Sequence, residues 1–91
     1  MKNVHILIEG VNSLRKLINV GYGNSINSAE IIAVINASSK PAKKTIKDAR
    51  ENNLLIDVSE GNKACSAVIM KSGHVVLSVN KPETLKGRMN E

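Results

Sequence analysis

Aromatic side chains are almost missing from this chain. It has one tyrosine, Tyr22, and no phenylalanine or tryptophan among 91 residues. Proteins that read single strands or RNA loops stack bases on aromatic rings, so the composition counts against that mode of recognition. Cysteine is as scarce. A lone thiol, Cys65, rules out an intrachain disulfide framework and fits a reducing compartment. No run approaches the ~18 apolar residues that span a bilayer. The first ten residues are too short and too interrupted for a secretory signal. Together these absences lead to the expectation of a soluble, cytoplasmic protein with no membrane partner. Acids are outnumbered, eight against thirteen Lys and Arg, for a net charge of +5. The excess favours acidic partners but does not choose between DNA, RNA and an acidic protein.

Catalytic and ligand-binding sets are equally thin. Besides Cys65, the only imidazoles are His5 and His74, and their spacing matches no zinc pattern. Gly21-Tyr22-Gly23-Asn24 lacks the Gly-Lys-Ser/Thr ending of a phosphate loop and precedes a strand, so it reads as a tight turn. Asp57 and Glu60 flank a polar stretch, where Asp57 at a strand end reads as an anchor accepting backbone or cationic bonds. Lys63 neighbours Cys65 without a base to make a nucleophile of it. No enzyme, metal, cofactor or small-molecule substrate is expected.

A chain of this length makes one domain, and its small core makes self-association a natural way to bury more surface. Residues 1–13 are read as an extension outside that domain: an edge strand, a flexible arm or a start-site artefact, with the domain itself at 14–91. Strands are expected at 14–20, at 29–35 (apolar on both faces, as in burial between layers or in an oligomer) and at 54–58. Residues 66–71 and 74–79 are rich in Val and Ile and are separated by Ser72-Gly73, the signature of a β-hairpin. Pro82 opens a short helix that runs to Met89. The order is β-β-α-β-β-β-α, an α+β fold with a small mixed or antiparallel sheet.

The main helix, 40–50, holds five of the thirteen basic residues and one acid, Asp48. Ser39 is placed to cap it, Pro41 fits its first turn, and Asn52-Asn53 ends it. Ala42, Ile46 and Ala49 recur at helical spacing as a packing seam, beside a face with Lys43, Lys47 and Arg50. A charge run of this kind is most often a solvated face. Its alternative reading is an electrostatic footprint for nucleic acid.

One resemblance runs through most of the chain. The stretch 16–24, Pro41-Ala42-Lys43-Lys44, Ile46, Asp48-Ala49-Arg50, Leu55-Ile56-Asp57, Gly61, Val68-Ile69-Met70, His74-Val75-Val76-Leu77-Ser78 and Pro82-Glu83-Thr84 resemble the RemA family of small bacterial regulators in collinear order. The resemblance implies a transcriptional regulator that binds duplex DNA, assembles as a homo-oligomeric ring and has a subunit like the LytTR-type DNA-binding domains. It also implies arginines after the loop glycine and before the second strand's isoleucine pair. This chain has Asn62, Lys63, Cys65 and Glu30 there. Of four basic positions one cation remains, and it is a point charge rather than a bidentate fork. The expected contacts are therefore Asn62 and Lys63 in the loop, with Lys43, Lys44 and Lys47 supplying sequence-independent attraction. The rival expectations are a ring that serves as an adaptor without DNA, motivated by Glu30 and Glu60, and an RNA-binding module.

Overall fold

The computed structural model describes residues 16–90, so the expectations for residues 1–13 lie outside it. In chain order the elements are β1 (Leu17–Gly21), β2 (Asn24–Asn27), a 3-10 turn (Ser28–Glu30), β3 (Ile31–Asn36), α1 (Lys40–Glu51), β4 (Leu55–Asp57), β5 (Ser66–Met70), β6 (Val75–Ser78) and α2 (Pro82–Met89). The α+β class and the expected order hold, with β2 added in a stretch left to the turn. Its sequence, Asn24-Ser25-Ile26-Asn27, carries a single apolar side chain and so gives little strand signal.

Two sheets form. β1 and β2 make an antiparallel ribbon, and β3-β5-β6-β4 make a four-stranded sheet in which only the β4–β6 pair is parallel. Alternation along β5 and β6 sends side chains to both faces of the larger sheet. On one face Val68 and Val76 pack with Val20 of β1 and Leu85 of α2. On the other, Ala67, Val75 and Leu77 meet Ala49 of α1, with Ile46 and Ile35 at the margin. The domain is thus three layers, with α1 on one side and α2 plus the ribbon on the other. Two-sided burial explains why β5 and β6 read as continuous Val/Ile runs.

Each helix start follows local chemistry. The Ser39 hydroxyl accepts the Ala42 N–H at 3.3 Å, and Pro41 sits in the first turn of α1. The seam expected on this helix is what docks it: Ala42 and Ala49 are buried. Asn52 caps its end, and Asn53 turns the chain with φ 60°.

The β5–β6 turn is one residue longer than Ser72-Gly73 alone. The Met70 N–H bonds the His74 carbonyl, and the Gly73 N–H bonds the Met70 carbonyl, both at 2.9 Å. Lys71-Ser72-Gly73 is therefore a three-residue loop, with Gly73 at φ 93° supplying the left-handed position such loops use. The His74 ring meets a side chain of the same loop: Nδ1 lies 2.7 Å from the Ser72 hydroxyl.

Buried hydroxyls join the layers. Ser78 Oγ donates to the Val20 carbonyl at 2.7 Å, tying the ribbon to the sheet, and Ser66 Oγ donates to the Asn80 carbonyl at 2.6 Å. Arg88 of α2 donates to the Asn19 carbonyl at 2.6 Å and to Asn80 Oδ1 at 2.8 Å. That arginine is therefore engaged inside the domain.

Candidate functional site

Two tight turns meet at one end of the molecule. In the β1–β2 turn, Tyr22 and Gly23 both have positive φ, 54° and 77°. In the polar loop after β4, Glu60 and Gly61 do the same, 53° and 81°, and the Asn62 N–H closes onto the Ser59 carbonyl at 3.0 Å. Both are left-handed two-residue turns, where a residue with a side chain is unusual. The Asn62 side-chain amide donates to the Tyr22 hydroxyl at 2.6 Å and also reaches the Ser59 carbonyl at 3.2 Å. One amide thereby joins two turns forty residues apart in sequence.

The loop is anchored again where it leaves the sheet. Asp57 Oδ1 accepts the Ser59 hydroxyl at 2.5 Å and the Ser59 N–H at 2.9 Å, while Ser59 itself is buried. The Ser59 hydroxyl, then its N–H, holds the Asp57 carboxyl below the usual carboxylate range. Slight desolvation acts against them, and the charge of Arg50 adds to the lowering. The anchoring role read for Asp57 is the one it has, with Ser59 as its partner.

Asn62, which makes one of these ties, and Lys63 just after it are exposed. Asn62 spends its amide on the two turns. Among the described residues the Lys63 ammonium has no ion pair or side-chain hydrogen bond. Lys43, Lys44 and Lys47 are also exposed, on α1. Glu30 is exposed at the end of the 3-10 turn, and Cys65 is half-buried.

Lys63 and Cys65 line an open cleft of about 340 Å³, together with Asn36, Ser38, Lys81 and Glu83. The α1 lysines do not line it. Sequence reasoning had not connected Asn36 or Lys81 with the loop. The signal was present: residues before β5 and after β6 must emerge side by side when the two strands pair antiparallel. Among the described residues no three His, Cys, Asp or Glu side chains gather as metal ligands, and no helix is long and apolar enough to cross a membrane.

Comparison with known proteins identifies the family. The model of the "Extracellular matrix regulatory protein A-like" (RemA-like) family matches residues 17–89. The chain belongs to the RemA-like family. Among its relatives are proteins of Bacillus cytotoxicus, Bacillus mycoides and Bacillus cereus, each named "Putative regulatory protein". Each is 43% identical over 75 residues, covering 82% of this chain and 86% of the relative. The matched span takes in both sheets and both helices, so the RemA-like unit is the whole three-layer domain and includes the loop with Asn62 and Lys63.

Proposed function

We propose that this RemA-like protein is a cytoplasmic, DNA-binding transcriptional regulator. In this reading it acts as a ring-shaped homo-oligomer and holds duplex DNA by the phosphate backbone. Lys63 is the principal contact, Asn62 sets its loop, and Lys43, Lys44 and Lys47 add attraction that is blind to sequence.

The observation that carries the reading is the Lys63 ammonium, without an ion pair or side-chain hydrogen bond among the described residues, on a loop fastened through Asp57–Ser59 and Asn62–Tyr22. A loop already fixed in place loses little backbone freedom when the cation it carries meets a phosphate. The net charge of +5 supports it. The ring draws support from the two edges of the larger sheet. Ile32 on β3 is 64% exposed and Ile56 on β4 is 45% exposed. Contact between two different surfaces is head-to-tail, and head-to-tail contacts generate rings when the rotation closes. Repetition around a ring turns one weak lysine contact per subunit into avidity.

Fluorescence titration of duplex DNA against salt tests this. The log–log slope changes by about −0.9 for each phosphate neutralised, so Lys63→Ala is expected to flatten it, with every subunit in contact contributing. No binding at low salt by an intact oligomer would overturn the reading in favour of an adaptor ring, which the exposed Glu30 and Glu60 favour.

A further inference from the structure

Three separate chain segments bring hydrogen-bond donors to the cleft beside the loop, and each is pinned within one or two residues of its donor. The segment before β5 carries Lys63, and the Cys65 N–H bonds the Ser78 carbonyl at 2.8 Å. The segment after β6 carries Lys81, and its neighbour Asn80 is held through its carbonyl by Ser66 Oγ and through Oδ1 by Arg88. The end of β3 carries Asn36, and the Ala37 N–H bonds the Cys65 carbonyl at 3.0 Å.

The chemistry of the donors is uniform. Asn36 Oδ1 already accepts the Ser38 N–H at 2.9 Å and the Ser38 hydroxyl at 2.7 Å, so the Asn36 NH₂ is the part left over. Among the described residues neither Lys63 nor Lys81 has an ion pair or a side-chain hydrogen bond. Among the described residues Glu83 is the one carboxylate lining the cleft, and against Lys63 and Lys81 it leaves a single excess positive charge there.

We infer that this cleft is a seat for one phosphodiester of the DNA backbone, in which Lys81 shares with Lys63 the phosphate that Lys63 was expected to hold alone, with the Asn36 amide as third donor. The identity of the ligand rests on the DNA-binding reading; the seat does not. A monoanionic phosphodiester matches the one excess charge and supplies acceptors to all three donors. Lys81, at the cap position before α2, adds charge beside a loop where the family resemblance implies arginines and this chain has Asn62 and Cys65.

Sharing gives a specific expectation. Two lysines on one phosphate act as a unit, so the losses in affinity from Lys63→Ala and Lys81→Ala depart from additivity by more than about twofold. Lys71, at the β5–β6 turn and at the other end of these strands, lies outside the cleft. Combined with Lys63→Ala, Lys71→Ala should therefore add simply. The measurement is duplex DNA binding by the full chain, wild type and variants, with circular dichroism to confirm folding and Lys81→Gln as a second, length-preserving variant. If Lys81→Ala and Lys81→Gln behave like Lys71→Ala, or if their loss adds simply to that of Lys63→Ala, the shared seat is wrong. Should the wild type bind no DNA, inorganic phosphate followed through the backbone amides decides. Saturable shifts at Asn36, Lys63 and Lys81 that vanish in Lys63→Ala/Lys81→Ala keep the seat and reject DNA as its ligand. Their absence rejects both.

Discussion

Asp57 shows how much a single residue can reveal before its partner is known. A carboxylate at the end of a short apolar strand and the start of a polar loop has loop amides and hydroxyls within reach, and Ser59 provides both. Bonds to the charged form lower its pKa, so the sign of its pH effect follows. Its contribution is complete above the ordinary Asp value of ~3.9 and is lost as pH falls through the lower value of the folded protein. Carboxyl NMR titration should find Asp57 below the usual range. The Ser59 and Asn62 amide signals should move with the same midpoint, and Asp57→Asn should abolish that acid-side transition. An Asp57 midpoint at or above the ordinary value would remove the anchor. The link between Asn62 and Tyr22 was not legible in the same way. Nothing in either neighbourhood marks a contact across forty residues, and it forms because the two turns reach the same end of the fold.

At the scale of elements, the sequence is most readable where the local rules agree. For α1 the cap, the proline position, the small-residue seam and the terminal asparagines all pointed one way, and the helix runs from Lys40 to Glu51. The β5–β6 turn was read one residue short, because Ser-Gly satisfies a two-residue and a three-residue loop alike. The choice follows from strand pairing, which puts Met70 opposite His74. β2 was hidden because the ribbon is half-exposed and needs few apolar residues. The split of α1 into a docking seam and a cationic face has a direct consequence for stability. Ala42 is fully buried, so Ala42→Leu inserts volume where none is free and should cost about 1–3 kcal/mol. In a domain of this size that lowers the melting temperature by roughly 4–8 °C per kcal/mol. Lys47→Ala, on the exposed face, should stay within ~0.5 kcal/mol of wild type. Thermal denaturation checks both, and equal effects would mean that the seam is not what holds the helix.

For the whole molecule, the layers follow from alternation along β5 and β6, but the order β3-β5-β6-β4 places a parallel edge strand that no local pattern announces. That order matters because it makes β3 and β4 the edges. The two-sided apolar character read at 29–35 fits the structure at β3: its inward residues are only half-buried and Ile32 projects at the bulge between Ile31 and Ala33. An uncovered edge with an exposed isoleucine invites pairing, and a charge on the edge blocks it. Light scattering at micromolar concentration should therefore show an assembly larger than the 9.8 kDa chain. Ile32→Lys should return it to a monomer. Because the Ile32 side chain is mostly in water within the subunit, its circular dichroism should not change. Loss of the assembly should also flatten the salt dependence of DNA binding, even though Lys63 and Lys81 remain, since avidity requires several copies to reach one duplex. A wild-type monomer would overturn the assembly itself, and an Ile32→Lys variant still assembled would place the contacts away from β3. A monomeric variant that keeps the full salt slope would separate DNA binding from assembly and leave the cleft of each subunit acting alone.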